Sequence, residues 1–317
     1  MKKISKKAIL KNSKIDCKEV TIEDGVKLEN VHIKAKSLVI RKNSILVSCK
    51  LFSEGPISIG KDCTIKENTV VNAFRGITIG DRTIIDRDVM IGGMQSQHSE
   101  IDVGNDCVIL YRSYLNTTRK ITIGNKVGVG GYCLIFTHSS WPNVLEGAPF
   151  KFKEVMIKDK VWLPWNVTVF PGVIIGKNTI LGGGSVVTGD IPENVFAAGV
   201  PAKIIKKNTN ITKSKKNQIL IEIIRDYHEY ASEFLGMKNS IIEDKKGIRM
   251  KFDKARIVFS KNFLETERND IALGFVIPGP IKSKFEWIEL DSLTSNVKSN
   301  TGKNFLSFIK RYGIRIS

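Results

Sequence analysis

IGKNTILGGGSVVTGDIP, residues 175–192, divides into three sixes, IGKNTI, LGGGSV and VTGDIP. Each six opens on an aliphatic residue, Ile175, Leu181 and Val187, and the first two carry a small or branched residue fifth, Thr179 and Ser185. The preceding eighteen residues scan the same way: IKDKVW, LPWNVT, VFPGVI. Moving back along the chain, a shorter signature recurs, branched apolar, any residue, branched apolar, then often Gly. It reads VTIE, LVIR, ISIG, ITIG, IDVG, ITIG, VMIK and VIIG, with third residues Ile22, Ile40, Ile59, Ile79, Val103, Ile123, Ile157 and Ile175. Successive separations are 18, 19, 20, 24, 20, 34 and 18, a base period of 18 with additions.

A period of this kind is the mark of a solenoid. Strands of six alternating residues cannot bury one face alone. If each six forms one side of a triangle, eighteen residues close one turn, and the aliphatic first residues stack on those of the next turn about 4.8 Å away. Branched residues suit such ladders, and Gly in second place is expected to permit the bend at a corner. The spacing predicts a parallel β-helix with about eight turns between residues 20 and 190, mainly β in class. Helical periods of 3.6 are absent there.

The additions share a phase. NAFRG (72–76), GMQSQHS (93–99), NTTRK (116–120) and HSSWPNVLEGAPFKFK (138–153) all follow the signature residue by a similar count, so all fall near one corner. Solenoids gather insertions on the binding face. That edge holds Asn72, Arg75, His98, Asn116, Arg119, His138 and Trp141. His138, at the start of the longest addition, is the candidate general base, because imidazole can take a proton near neutral pH. His98 is its rival two turns earlier. His32 and His228 lie off the edge and read as structural. Trp141 offers an apolar face to a sugar ring or packs in its own loop.

The remaining features narrow the field. A chain of 317 residues suits about two domains. An apolar share of 42% is that of a folded globular protein, without a run near ~20 apolar residues that would span a bilayer. The basic start, MKKISKKAIL, lacks the pattern of a secretory signal. Five cysteines, Cys17, Cys49, Cys63, Cys107 and Cys133, form no C-x-x-C pair and read as small buried residues in a reducing cytoplasm. The four His lack metal-ligand spacing, and GGGS at 182–185 reads as corner glycines, not a phosphate loop. A net charge of +18 draws anions, but its Lys runs lack the interleaved aromatics of a nucleic-acid module.

The segment FTHSSW…VMIKDKVWLPWNVTVFPGVIIGKNTILGGGSVVTGDIPENVFAAGVPAKIIKK resembles the C-terminal turns of left-handed β-helix acetyltransferases. It is most similar to the galactoside/maltose O-acetyltransferase group and relatives that modify capsule and lipopolysaccharide sugars, densely over 120–207 and by repeat alone over 20–120. The resemblance implies a left-handed coil, a homotrimer with sites between subunits, acetyl-CoA as co-substrate and no metal. It implies that His138 deprotonates a sugar hydroxyl. Trp162 and Trp165 would lie by the acyl and pantetheine groove, Gly183 and Thr188 would touch CoA, and Lys203 and Lys206 would meet its nucleotide end. Asn116, Arg119, His98 and Trp141 are the acceptor-side candidates. The chain departs from the family at Trp162-Leu163-Pro164-Trp165, where the third place is usually Gly and the fourth small, and at Gly189, where Lys is common.

Beyond 207, residues 208–217 are expected as a polar linker. Leu220, Ile223, Ile224, Tyr227, Ala231 and Phe234 share one helical face ending near Gly236. GIRMKF, ARIVFS, IALGFVIP and FEWIEL read as strands and about 303–311 as a final helix, giving a small α+β domain over 218–317. The expected function is O-acetyl transfer to a sugar of a bacterial surface polysaccharide or its precursor, in the cytoplasm or peripherally attached to membrane assembly machinery. N-acetylation of an amino sugar nucleotide and a non-catalytic scaffold remain the alternatives.

Overall fold

The computed structural model describes every residue except 1, 141, 209–210, 245–246, 253–254, 261–269, 276, 278, 283, 313, 315 and 317. The chain divides into two compact units, Met1–Thr209 and Asn210–Ser317.

The first unit is a parallel β-helix. Its first face is built on the signature residues, which stack in register as Ile4, Ile22, Ile40, Ile59, Ile79, Val103, Ile123, Ile157, Ile175 and Ile191. The ladder therefore runs one coil further at each end than the eight turns expected. Lys2–Ile4 and Ile191 lie in stretches without the signature, and pairing with a neighbouring coil holds them in place. The second face carries Leu28, Leu46, Ile65, Ile85, Ile109 and Val129. The third carries Ile33, Leu51, Val71, Ile91, Leu115, Ile135, Val169 and Val187. Apart from Ile4, which is exposed, these inward side chains form one continuous buried core. Each fully buried aliphatic contributes about 1.5–3 kcal/mol, so two-residue strands persist because the core runs unbroken along the axis.

The corners between faces are hydrogen-bonded ladders. At the first corner, between the first and second faces, an Asx oxygen accepts the backbone N–H of the preceding coil. Asp81 receives Lys61 N (2.9 Å), Asn105 receives Asp81 N (2.7 Å), Asn125 receives Asn105 N (2.9 Å) and Asp159 receives Asn125 N (2.7 Å). The fifth-place residues point inward and donate to the next coil's carbonyls: Ser44 to Gly60 (2.7 Å), Cys63 to Gly80 (3.0 Å), Thr83 to Gly104 (2.8 Å) and Cys107 to Gly124 (3.0 Å). The cysteines thus take the place of Ser and Thr in this column. All five thiols are free and buried. Burial pushes Cys49 up to about 12 and Cys107 and Cys133 up to about 11, against partial relief from hydrogen bonds.

The second-place glycines do a different job from the one expected. Gly60, Gly80, Gly104 and Gly124 do not have positive φ; the left-handed residues of this corner are Asp62, Arg82, Asp106 and Lys126. A Cβ on Gly80 would stand 2.5 Å from Gly104 C and 2.7 Å from Asn105 N, and Gly104 would meet Gly124 O at 2.6 Å. Glycine is required because successive corners approach too closely for a side chain.

The parallel ladder ends in an antiparallel strand, Lys203–Lys207, laid against Val195–Ala198. Its exposed lysines discourage further strand addition at that edge.

In the second unit a helix spans Lys213–Glu233, N-capped by Thr212, whose Oγ accepts from Lys215 N. The linker expected over 208–217 is therefore shorter, since solvated lysines open the helix. Leu220, Ile223, Ile224, Tyr227 and Ala231 are buried as expected, but Phe234 lies beyond the helix end, exposed, stacked on Tyr230 at 5.5 Å. The sheet runs in chain order from Asn239–Asp244 through Gly247–Phe252, Arg256–Ser260, Asp270–Gly274 and Glu286–Glu289 to Thr294–Ser295. Its pairs from Arg256–Ser260 to Glu286–Glu289 are parallel and the others antiparallel. A last helix, Asn300–Ile309, packs Phe305 and Phe308 against Tyr227 at 5.0 and 5.1 Å.

Gly80→Ala separates the two readings of the corner glycines. Relief of chain entropy alone would stabilise the protein by roughly 0.4–1 kcal/mol. Close approach predicts the reverse, a loss of about 1–3 kcal/mol, seen as a lower melting temperature of the full chain.

Candidate active site

The third corner, between the third and first faces, receives every long addition. Each follows a third-face strand, Val70–Asn72, Met90–Ile91, Tyr114–Asn116 or Leu134–Phe136, and precedes a first-face strand. The additions also bond to one another. Thr117 Oγ1 donates to Asn72 O (3.1 Å), Met94 N to Thr118 Oγ1 (3.1 Å) and Arg119 N to Thr137 Oγ1 (2.9 Å). The longest folds back on itself, with His138–Ser139 antiparallel to Lys151–Phe152. Its tip is a single 3₁₀ turn, Val144–Glu146, N-capped by Asn143.

His138 is half-buried at the base of this hairpin. Its Nδ1 lies 3.1 Å from Asn116 Oδ1. Asn116 is only 3% exposed and both ends of its amide are hydrogen-bonded. Nδ2 donates to Tyr114 Oη (2.9 Å), while Oδ1 accepts from Thr118 N (3.1 Å). A backbone N–H can only donate, so Oδ1 is an acceptor and His138 Nδ1 must carry the proton toward it. In the neutral ring the lone pair is then on Nε2, which has no hydrogen-bond partner among the described residues. Thr137 locks the pair from beneath by donating to Asn116 O at 2.6 Å. Phe152 lies against the His138 ring at 5.7 Å, and the Arg119 guanidinium sits 5.6 Å above Phe152. Gly93 makes room for this arrangement. A Cβ there would stand 2.7 Å from Thr118 Oγ1 and 2.9 Å from Asn116 Oδ1.

The structure brings Asn116, Arg119 and His138 together. It turns Asn116 inward, so its side chain is buried and orients the imidazole rather than facing an acceptor. His98 shares the corner but is exposed, and Arg75 pairs with Glu100 at 3.2 Å. Trp141 lies outside the described residues. Of the off-edge histidines, His32 packs on Phe52 at 5.2 Å and His228 bonds Asn239.

Thr188 is exposed at the His138 corner, after Val186–Val187, two rungs along from Leu134–Phe136. Trp162 points outward from the second face, over Gly128, where a Cβ would stand 2.3 Å from the indole. Phe196 stands two rungs beyond it, with Lys206 Nζ 5.9 Å from its ring; Lys203 and Lys206 are exposed on the closing strand. Trp165 and Gly183 sit at the corner between the second and third faces, joined by Gly184 N donating to Trp165 O at 2.9 Å. Within one chain, therefore, the residues expected around acetyl-CoA divide between the third corner, the second corner and the second face. Sequence reasoning missed Tyr114, Thr137, Phe152 and Gly93. Thr137 and Tyr114 were accessible, since they flank His138 and Asn116 on stacked rungs.

No protein-family profile matches the chain. It is 50% identical over 82 residues to WbbJ, a candidate lipopolysaccharide biosynthesis O-acetyl transferase of Escherichia coli K12, covering 25% of this chain and 42% of that one. It is 45% identical over 71 residues to the galactoside O-acetyltransferase of Lactococcus lactis, 22% and 34% of the two chains. These matches span less than half the length of the relatives. Among solved structures, the hexapeptide-repeat containing acetyltransferase VCA0836 of Vibrio cholerae aligns over 42% of this chain and 74% of its own. Its identity is 24% and its TM-score 0.37, too partial an overlap to carry an argument. The chain is thus similar in sequence to sugar O-acetyltransferases, and its first unit has the hexapeptide-repeat fold.

The hydrogen-bond logic at Asn116 predicts a definite ring tautomer. In ¹⁵N-histidine-labelled protein, the neutral His138 signal should report protonated Nδ1 and bare Nε2. Asn116→Ala should shift it toward the Nε2–H form. A parent protein already in the Nε2–H form contradicts the geometry.

Proposed function

We propose that the protein is an acetyl-CoA-dependent O-acetyltransferase that modifies a sugar hydroxyl of a bacterial surface polysaccharide or its precursor, with His138 as general base. The observation that carries this reading is the Asn116–His138 pair, in which Asn116 Oδ1 accepts from Nδ1–H and Nε2 has no hydrogen-bond partner among the described residues, at the corner where all the additions converge.

The chemistry follows from that atom. Nε2 takes the hydroxyl proton as the sugar oxygen attacks the thioester carbonyl carbon. The tetrahedral intermediate collapses, the C–S bond breaks, and the proton on Nε2 passes to the departing sulfur. Asn116 Oδ1 faces Nδ1–H throughout and stabilises the transient imidazolium. A positioned base of this kind accounts for about 10²–10⁴ in rate, and holding the two substrates together for much of the rest.

The residues present suit acetyl-CoA. Trp162 on its glycine seat offers an apolar wall for pantetheine, and Trp165 narrows the thioester end. Gly183 leaves backbone open to a ligand, Thr188 offers a hydroxyl, and Lys203, Lys206 and Lys207 match the phosphates. A homotrimer is supported by two features. Trp162, Trp165 and Gly183 occupy other sides of the coil than His138, and the hairpin tip exposes Val144, Leu145 and Phe150, Leu145 at 92%. Arg119 and Phe152 flank the acceptor side, with Trp141 and His98 as outer candidates. Cytoplasmic location fits the supply of acetyl-CoA and five free thiols; no described helix is long and apolar enough to cross a membrane.

Incubation with acetyl-CoA and capsule or lipopolysaccharide oligosaccharides should add one acetyl mass, removed by mild base as an ester and unlike an amide. His138→Ala should lower the rate by at least about 100-fold while CoA still raises the melting temperature. Full turnover by that variant removes the mechanism.

A further inference from the structure

The corner between the second and third faces carries a row of rings, of which only Trp165 has a part in the acetyl transfer proposed above. Arg87, Tyr111 and Trp165 occupy the third place of their sixes, and Arg112 and Tyr132 the fourth. Tyr111 meets Tyr132 at 5.3 Å and Trp165 at 5.1 Å, and Tyr132 meets Trp165 at 6.0 Å. Tyr132 and Trp165 are 38% and 41% exposed. Arg87 lies 5.8 Å over Tyr111. Arg112 lies 6.0 Å over Tyr132 and donates from Nη1 to its hydroxyl at 3.1 Å.

Two further observations show that this edge is built rather than incidental. Arg112 (φ 54) and Tyr132 (φ 57) stand in the left-handed region. On the other six-residue sides at this corner that place is held by Asn68, Asp88, Asn166 and Gly184, types that enter it more readily. The backbone thus gives up its preferred residues where the ring row lies. Second, the indole of Trp165 is seated on Gly131, where a Cβ would come within 2.6 Å of Cζ3.

We propose that this edge docks an extended, carboxylate-bearing glycan, the polymer whose hydroxyl the enzyme acetylates; its role as acceptor, though not the binding itself, rests on the function proposed above. Rings with open faces suit the C–H surfaces of sugars. Guanidinium groups beside them supply planar, two-pronged partners for carboxylates. Of the nearby acids, Asp86 pairs with Lys66 at 3.0 Å, while Asp88 accepts from Asn68 Nδ2 at 3.1 Å and keeps its charge toward Arg112. The groups repeat along the coil axis, which suits a chain running over several coils better than a compact ligand.

The test uses the full-length protein, polygalacturonate as anionic probe, dextran as neutral polymer and polyglutamate as a polyanion without sugar rings. Hydroxyl-radical footprinting should show protection of Tyr111, Tyr132 and Trp165 by polygalacturonate alone. In affinity electrophoresis Tyr111→Ala and Arg112→Gln should each weaken binding about tenfold, the scale of one desolvated ring or guanidinium contact. His138→Ala should bind as the parent does. No protection of the three residues, equal protection by dextran or polyglutamate, or unchanged binding by folded variants overturns the proposal. So does a change in sedimentation mass in the variants, which would make the edge a contact between copies. If a variant fails to fold, footprinting of the parent decides. Binding by a protein that acetylates no glycan removes the enzymatic reading and leaves the edge. Acetylation of the polymer by the variants at parental KM removes the edge and leaves the enzyme.

Discussion

Each coil of this protein turns its backbone through three corners, and most of the amides at the first two corners find their partners in the adjacent coil. At the first corner Asp81, Asn105, Asn125 and Asp159 accept them in sequence, with Ser44, Cys63, Thr83 and Cys107 bonding carbonyls from the inner side. The second is closed likewise by Thr69, Ser113 and Cys133, which donate to Asp86, Gly130 and Pro164 carbonyls at 2.6, 2.8 and 3.0 Å. A long insertion at these two corners would break a continuous ladder and strand buried polar groups, at about 1–3 kcal/mol each. All four additions fall at the third corner. The location of the proposed active site is therefore a consequence of hydrogen-bond bookkeeping in the coil.

That same constraint shapes the site. Because the additions are stacked, Asn116 arrives one coil from His138 without any long-range search, and the Thr118 amide that orients it belongs to its own loop. The imidazole is fixed by neighbours whose positions the coil already determines. The catalytic apparatus proposed here needs no metal ligand set and no buried charge; it needs one ring with the right nitrogen bare. The second corner, which takes no long insertion, carries specificity through the side chains on its ladder, and there Arg112 and Tyr132 replace the usual small residues.

The coil and the phasing of its interruptions were legible in the sequence because both are periodic. The signature from Ile22 to Ile175 is a direct image of the core, and the drift in its spacing is a direct image of the loops. What was not legible was direction. Asn116 could be put on the correct edge but not turned inward, since periodicity locates a Cα and leaves the side chain's partners open. The glycines of I-x-I-G were assigned to bending because bending is local, whereas the close approach of Gly80 to Gly104 is a contact between coils. Ile4 and Ile191 were missed because pairing alone holds them in the ladder. The ring row was invisible because Tyr111, Tyr132 and Trp165 lie on separate coils at a corner without insertions. In the second unit, Thr212 was an available N-cap signal for the earlier helix start, obscured by the lysines that follow it.

The most direct test of the account is a crystal structure of the protein with CoA and a sugar acceptor bound. The account predicts the CoA sulfur and one acceptor hydroxyl at the third corner, the hydroxyl within hydrogen-bond reach of His138 Nε2, roughly 3 Å. Asn116 should still face Nδ1, and Trp162 should lie against the pantetheine. CoA bound away from this corner, or His138 turned so that Nε2 faces Asn116, would contradict it.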